Sequence, residues 1–167
     1  MKFQNKYVLR RNMKGLVIKK NANLFTIEHD EKLVNLMPSG KTRASGIFVG
    51  DIVEFDDAIT KVYERKNILI RPPIANLDKM FIVISSIPKP DFILIDKIII
   101  YCHLNEIEPI IVINKVDIVN EDFIKSVKED YKCYKILCAS AKNNELSSLE
   151  NEIEGICAFA GQSAVGK

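Results

Sequence analysis

Paired cysteine motifs, histidine clusters and long apolar runs are missing from this chain, and each absence removes a class of protein. Cys102, Cys133, Cys138 and Cys157 include no C-x-x-C spacing, and His29 and His103 stand far apart, so no zinc ribbon or dithiol redox motif is written here. Unpaired thiols buried in a reducing compartment are the expectation for these cysteines. No apolar run approaches the ~18 residues of a membrane span, and the polar, basic start lacks the pattern of a secretory signal. A cytoplasmic protein without membrane contact, monomeric in solution, is therefore expected. Internal repeats and low-complexity tracts are also missing. Acidic residues are missing from one place in particular: the first fourteen positions hold Lys2, Lys6, Arg10, Arg11 and Lys14 with no Asp or Glu.

That basic arm is part of a wider asymmetry. Across 167 residues the net charge is +2, yet residues 1–72 carry 14 basic against 8 acidic side chains and residues 73–167 carry 10 against 14. An acid-free arm on a basic half is the electrostatic footprint of a nucleic-acid partner.

The texture changes at the same place, near Arg71-Pro72-Pro73. Before it, short β-prone runs at residues 16–19, 24–29, 32–37, 52–55 and 59–64 alternate with Asn, Asp and Gly turns. Five short strands without a helical period predict a small closed barrel, an OB-fold or else an SH3-like barrel. After it, apolar runs at 80–85, 110–113, 134–138 and 155–159 alternate with helical patterns at 92–104, 121–131 and 145–154. Asp91 and Asn120 are placed to cap the first two helices, and the alternation predicts a parallel sheet with β-α-β crossovers. The domains expected are an arm over 1–14, an OB-like unit over 15–72 and an α/β unit over 73–167.

Three motifs sit at the C-terminal ends of predicted strands, where open α/β sheets bind ligands. They are Asn114-Lys115-Val116-Asp117, Ser140-Ala141-Lys142, and Gly161-Gln162-Ser163-Ala164-Val165-Gly166-Lys167. The last is the G-x-x-x-x-G-K of a P-loop, whose backbone N–H groups cradle phosphates while the lysine reaches the β/γ oxygens. Asp117 has the chemistry to accept two hydrogen bonds from the guanine N1–H and N2–H2. Asn114 can hold the O6/N7 edge or tie the base loop to the P-loop. The Lys115 stem can cover the ring, and Ala141 is small enough for its N–H to approach O6. Ordinary guanine-nucleotide switches carry the P-loop first, whereas here it comes last. This order predicts a circularly permuted P-loop GTPase domain, incomplete in this chain. Ser39-Gly40-Lys41-Thr42 ends like a second P-loop, but Asn35 occupies the leading-glycine position, so a basic surface loop is expected there.

Together with Val49-Gly50-Asp51 and the segment from Arg71 to Asp78, these motifs resemble the circularly permuted small-subunit biogenesis GTPases of bacteria, the RsgA or YjeQ family. The resemblance spans nearly the whole chain. It implies a GTPase using GTP/GDP and Mg²⁺, acting late in small ribosomal subunit assembly and stimulated by that subunit. Lys167 would be the catalytic phosphate-stabilising residue. The OB domain would contact ribosomal RNA, with Lys2, Lys6, Arg10, Arg11, Lys14, Lys41 and Arg43 as candidates. A zinc-binding domain would follow the GTPase domain. Ala164 departs from the family's usual glycine. The Mg²⁺-ligating Ser or Thr expected after Lys167, both switch segments and the zinc ligands are not in these 167 residues, so the fragment alone is expected to be inactive. The competing readings are a nucleic-acid-binding module on a degenerate nucleotide fold, which the intact Asn114, Lys115 and Asp117 disfavour, and a permuted GTPase of the large subunit.

Overall fold

The computed structural model describes residues 12–43, 46–70 and 73–167, with the backbone alone at Lys41 and Arg43. Its contacts divide the chain into two units, 1–76 and 77–167.

Tight hairpins organise the first unit. Strand β1 (Met13–Asn21) turns at Ala22-Asn23 into β2 (Leu24–His29), which turns at Asp30-Glu31 into β3 (Lys32–Leu36). Asp30 and Glu31 both take positive φ, 47° and 60°, the primed two-residue turn whose twist matches that of paired strands. A single helical turn, α1 (Gly40–Arg43), precedes β4 (Ile52–Phe55) and β5 (Ile59–Val62). The antiparallel sheet runs in the order β3-β2-β1-β4-β5. Its two edges meet beyond β3, where Pro38 bridges Ile59 in parallel. There Ile59 N–H donates to Met37 O at 3.0 Å and Ser39 N–H donates to Ile59 O at 2.9 Å. Alternation places Val17, Phe25, Ile27, Val53, Phe55 and Ile59 in one buried cluster, following the period of two of a pleated strand.

The segment Ser39–Thr42 is not the surface loop that its composition suggests. Thr42 is buried at 6% exposure, and its Oγ1 donates to Ile59 O at 2.7 Å. The hydroxyl thus helps to hold the point where the sheet edges meet. A short antiparallel pair, β6 (Ile68–Leu69) with β7 (Ile74–Ala75), completes this unit. Gly50 lies against it at φ +89°, where a Cβ would collide with Ala75 O, so only glycine fits. The next residue, Asp51, is fully buried. Its carboxylate accepts from Phe48 N–H at 2.8 Å and from Arg65 Nε at 2.6 Å and a terminal guanidinium nitrogen at 2.8 Å. That satisfies both oxygens, as a buried charge requires.

The second unit alternates strand and helix: β8 (Lys79–Ile84), α2 (Phe92–Leu104), β9 (Glu108–Ile113), α3 (Glu121–Asp130), β10 (Lys135–Cys138), α4 (Ser147–Glu150) and β11 (Cys157–Ala160). All strand pairs are parallel, in the order β10-β9-β8-β11. The central strands β8 and β9 are buried on both faces, which is why they read as unbroken apolar runs. Asp91 caps α2 by accepting from Leu94 N–H at 3.0 Å, and Asn120 caps α3 by accepting from Phe123 N–H at 2.8 Å.

Two expectations need correction here. The helix read over 145–154 shrinks to Ser147–Glu150. Glu145 is engaged in a reciprocal bridge with Ser140 at 3.0 and 3.2 Å, and past Glu150 the bonds tighten to turns, Glu152 N–H donating to Leu149 O at 3.0 Å and Ile153 N–H to Glu150 O at 3.2 Å. The cysteines are all free, but only Cys102 is buried; Cys138 and Cys157 are half-exposed and Cys133 is exposed. Cys138 and Cys157 lie on β10 and β11, the two edges of the sheet. Burial pushes the Cys102 thiol up to about 11, so it stays protonated at neutral pH.

Candidate functional site

Four parallel strands end along one edge, and the three motifs leave from three of those ends. Asn114 follows β9, Ala139 and Ser140 follow β10, and Gly161 follows β11. Ser85 follows β8 and begins the loop to α2.

Asn114 is 4% exposed and joins all three motifs. Its Nδ2 donates to Val165 O at 2.9 Å and Gly166 O at 3.3 Å, while its Oδ1 accepts from Ala141 N–H at 3.2 Å. In the structure both ends of this amide are engaged by the neighbouring loops. The Ala141 N–H that sequence reasoning offered to a base oxygen therefore already has a partner in Asn114.

Lys115 takes φ +62°, and its Nζ donates to Ala164 O at 2.7 Å and Ile87 O at 2.9 Å. Its stem is therefore drawn toward the P-loop. Asp117 is oriented from behind: Oδ1 accepts from the fully buried Ser140 Oγ at 2.7 Å, and Lys142 Nζ lies 4.0 Å from Oδ2. A carboxylate oxygen can accept more than one donor, so Asp117 keeps capacity for further N–H groups. Val116 donates its N–H to Ala139 O at 3.2 Å.

Glycine freedom is used at both ends of the P-loop. Gly161 sits at φ +135° with its α-carbon so close to Val83 O that a Cβ would collide, and Gly166 sits at φ +85° against the Asn114 amide. Ala164 takes φ +65° without being glycine, a conformation that costs an L-residue roughly 1–2 kcal/mol. Lys115 holds its carbonyl in that state. Val165 is buried with Phe81, Val83, Ile110 and Val112, which anchors the loop to the sheet. Gln162 accepts from Asp91 N–H at 3.3 Å, and Lys167 Nζ donates to Gly161 O at 2.9 Å and Gln162 O at 2.7 Å. The lysine thus bridges the mouth of its own loop. A cavity of about 290 Å³ opens between the three motifs, lined by Asn114, Lys115, Asp117, Ala141, Lys142, Gly166 and one residue outside them, Ile118.

The RsgA GTPase family model matches residues 62–167 of this sequence. The chain belongs to the RsgA GTPase family. The small ribosomal subunit biogenesis GTPase RsgA 2 of Oceanobacillus iheyensis is 36% identical over 170 residues, covering 92% of this chain and 58% of that protein. RsgA of Thermotoga neapolitana is 35% identical over 177 residues, covering 96% of this chain and 59% of that protein. The chain thus spans under three fifths of the length of these RsgA relatives. Among solved structures, YjeQ from Thermotoga maritima superposes with a TM-score of 0.83 at 32% identity, covering 94% of this chain and 63% of that one. YloQ, a circularly permuted GTPase, superposes at 0.78 with 28% identity, covering 98% and 64%.

Three features of this RsgA-family chain escaped the sequence. Lys115 and Lys167 hold backbone carbonyls, which every residue carries and no motif announces. Gln162 meets the cap residue of α2 from 71 positions away. Ile118 borders the cavity although it follows the N-K-V-D motif. Among the basic residues expected to face RNA, Lys2, Lys6, Arg10 and Arg11 lie outside the described residues. Lys14 is exposed on β1, its Nζ 4.8 Å from the Tyr63 ring centroid, and Lys61 approaches the same ring at 4.8 Å. Lys41 and Arg43 belong to α1.

Proposed function

We propose that the intact protein binds and hydrolyses GTP and acts in maturation of the small ribosomal subunit, contacting its RNA. The observation that carries this reading is the Asn114 amide, which engages the P-loop and the Ser140-Ala141-Lys142 loop at once. A chain keeping these residues only as strand-end turns would have no need for one side chain to hold both loops. Asp117 reads the guanine edge, Gly161 to Gly166 wrap the phosphates, and Lys167 exchanges its loop carbonyls for β/γ oxygens. Catalysis in this class rests on positioning and electrostatic stabilisation of the transferring phosphoryl group. Mg²⁺ accompanying GTP would supply charge neutralisation to the phosphates beside Lys167. The relatives named as small-subunit biogenesis GTPases support the choice of ribosomal particle. Zinc, on the same resemblance, belongs to a separate C-terminal domain.

The first unit we read as an OB-fold. The order β3-β2-β1-β4-β5, the parallel contact between the end of β3 and β5, and α1 between β3 and β4 all favour it over an SH3-like barrel. The domain plan is then a basic arm that passes into β1 at Met13, an RNA-facing OB unit that runs to Asn76 because the β6–β7 pair crosses the boundary expected at 72/73, and the permuted GTPase unit from Leu77. The test of function is turnover: the intact protein should hydrolyse GTP and not ATP, faster with small ribosomal subunits than without. Stimulation by large subunits instead would reassign the particle.

RNA contact has its own signature. Each phosphate neutralised should steepen the fall of log K with log[salt] by roughly 0.7–0.9. Replacing Arg10, Arg11 and Lys14 with Ala should flatten that slope for small-subunit binding, with GTP affinity nearly unchanged. An unchanged slope would mean that the arm and Lys14 are only a solvated face.

A further inference from the structure

We propose that Ile118 holds the face of the purine ring, an affinity contact separate from the edge-reading carboxylate of Asp117. This rests on the reading of the 290 Å³ cavity as a guanine site. A purine presents hydrogen-bonding edges and two apolar faces, so a site needs apolar surface as well as polar groups. Of the polar groups around this cavity, Asp117 serves the base edge, the Asn114 amide is committed to two loops, and the Lys115 ammonium to the carbonyls of Ala164 and Ile87. Ala141 offers one methyl group and Gly166 none.

Ile118 is the single large, wholly apolar side chain among the residues lining the cavity. It is 56% exposed, so it has surface left to cover. Its position is also fixed. Ile118 N–H donates to Lys115 O at 2.9 Å, closing a turn in which Lys115 takes the left-handed conformation and Ser140 pins the Asp117 carboxylate. The turn therefore delivers an edge reader and an apolar neighbour in consecutive positions. A solitary exposed isoleucine is commonplace on a protein surface; one held by this turn at the rim of this cavity has a specific surface to meet.

The experiment compares Ile118→Ala, Ile118→Leu and Asp117→Asn with wild type in the intact protein. Dissociation constants are measured for GDP and for inorganic pyrophosphate, which has no base. Ile118→Ala removes three carbons from a half-covered position, so GDP should bind about three- to tenfold more weakly. Ile118→Leu should restore most of that loss, and pyrophosphate affinity should not move. In the Asp117→Asn background, Ile118→Ala should weaken xanthosine diphosphate by the same factor, because a face contact does not distinguish the edges. Unchanged GDP affinity in Ile118→Ala, with Asp117→Asn still impaired, would overturn the role of Ile118 and leave the guanine site standing. An equal loss for GDP and pyrophosphate would also overturn it, by tracing the effect to the P-loop. A wild-type protein that binds no GDP would remove the guanine site and this contact together.

Discussion

Replacing Asp117 with Asn in the intact protein should weaken GTP binding by about 10⁴, the low end of the range seen when a site's paired N–H recognition is broken. The carboxylate is held by Ser140 Oγ at 2.7 Å, and in the proposed guanine site it would form a charge-assisted pair with the guanine N1–H and N2–H2. In the Asp117→Asn variant the amide oxygen can keep the Ser140 bond, but an N–H₂ group then stands where the second acceptor was. Facing the guanine amine, that group repels. Xanthine carries an oxygen at this place, so the same group donates to it, and xanthosine triphosphate should gain affinity as GTP loses it. The swap is nearly isosteric, so thermal unfolding should hardly change. Equal GTP affinity in mutant and wild type would take Asp117 out of the site.

The parts of this molecule that were legible in the sequence are those whose causes are local. The central strands announce themselves because burial on both faces leaves no polar position in Ile110–Ile113 or in most of β8. Helix α2 was delimited by Asp91, whose side chain can do little else before a run of helix-compatible residues. The failures share a different cause. Leu146, Leu149 and Ile153 keep a helical spacing, yet Glu145 pairs with Ser140 across a turn and the helix shortens to one turn. Thr42 looked like part of a basic loop because its partner, Ile59 O, lies 17 residues away. Edge position, which depends on sheet order, decided the exposure of Cys138 and Cys157.

The site divides in the same way. Residue types told which groups could read a base or wrap a phosphate, since Asp, Gly and Lys each bring one chemistry. They could not tell how the loops are fastened to one another. The Lys115 bonds to Ala164 O and Ile87 O join three loops through backbone oxygens. Strain is placed where that fastening can hold it: Ala164 occupies a left-handed conformation with its carbonyl captured, and such conformations persist only when surroundings over-determine them.

Asn114→Ala tests whether the fastening or the base contact is the larger part of that residue's role. Truncation leaves Ala141 N–H and Val165 O without the partner that now meets them at 3.2 and 2.9 Å. Both bonds converge on a side chain that is 4% exposed. A buried group left unpaired costs about 1–3 kcal/mol; Val165 O is such a group, whereas the exposed Ala141 can rehydrate its N–H, so the second unit should lose roughly 1–3 kcal/mol of stability. The loss would appear as a lower denaturant midpoint for that unit. GTP binding should fall by at least a hundredfold, because the two loops would have to be ordered by the ligand itself, and binding energy spent on ordering does not appear as affinity. Asp117→Asn separates the two roles, since it should cost GTP affinity without the stability loss. If Asn114→Ala matched it, with weak GTP binding and an unchanged midpoint, the amide would be a base reader. The three loops would then need another source of order.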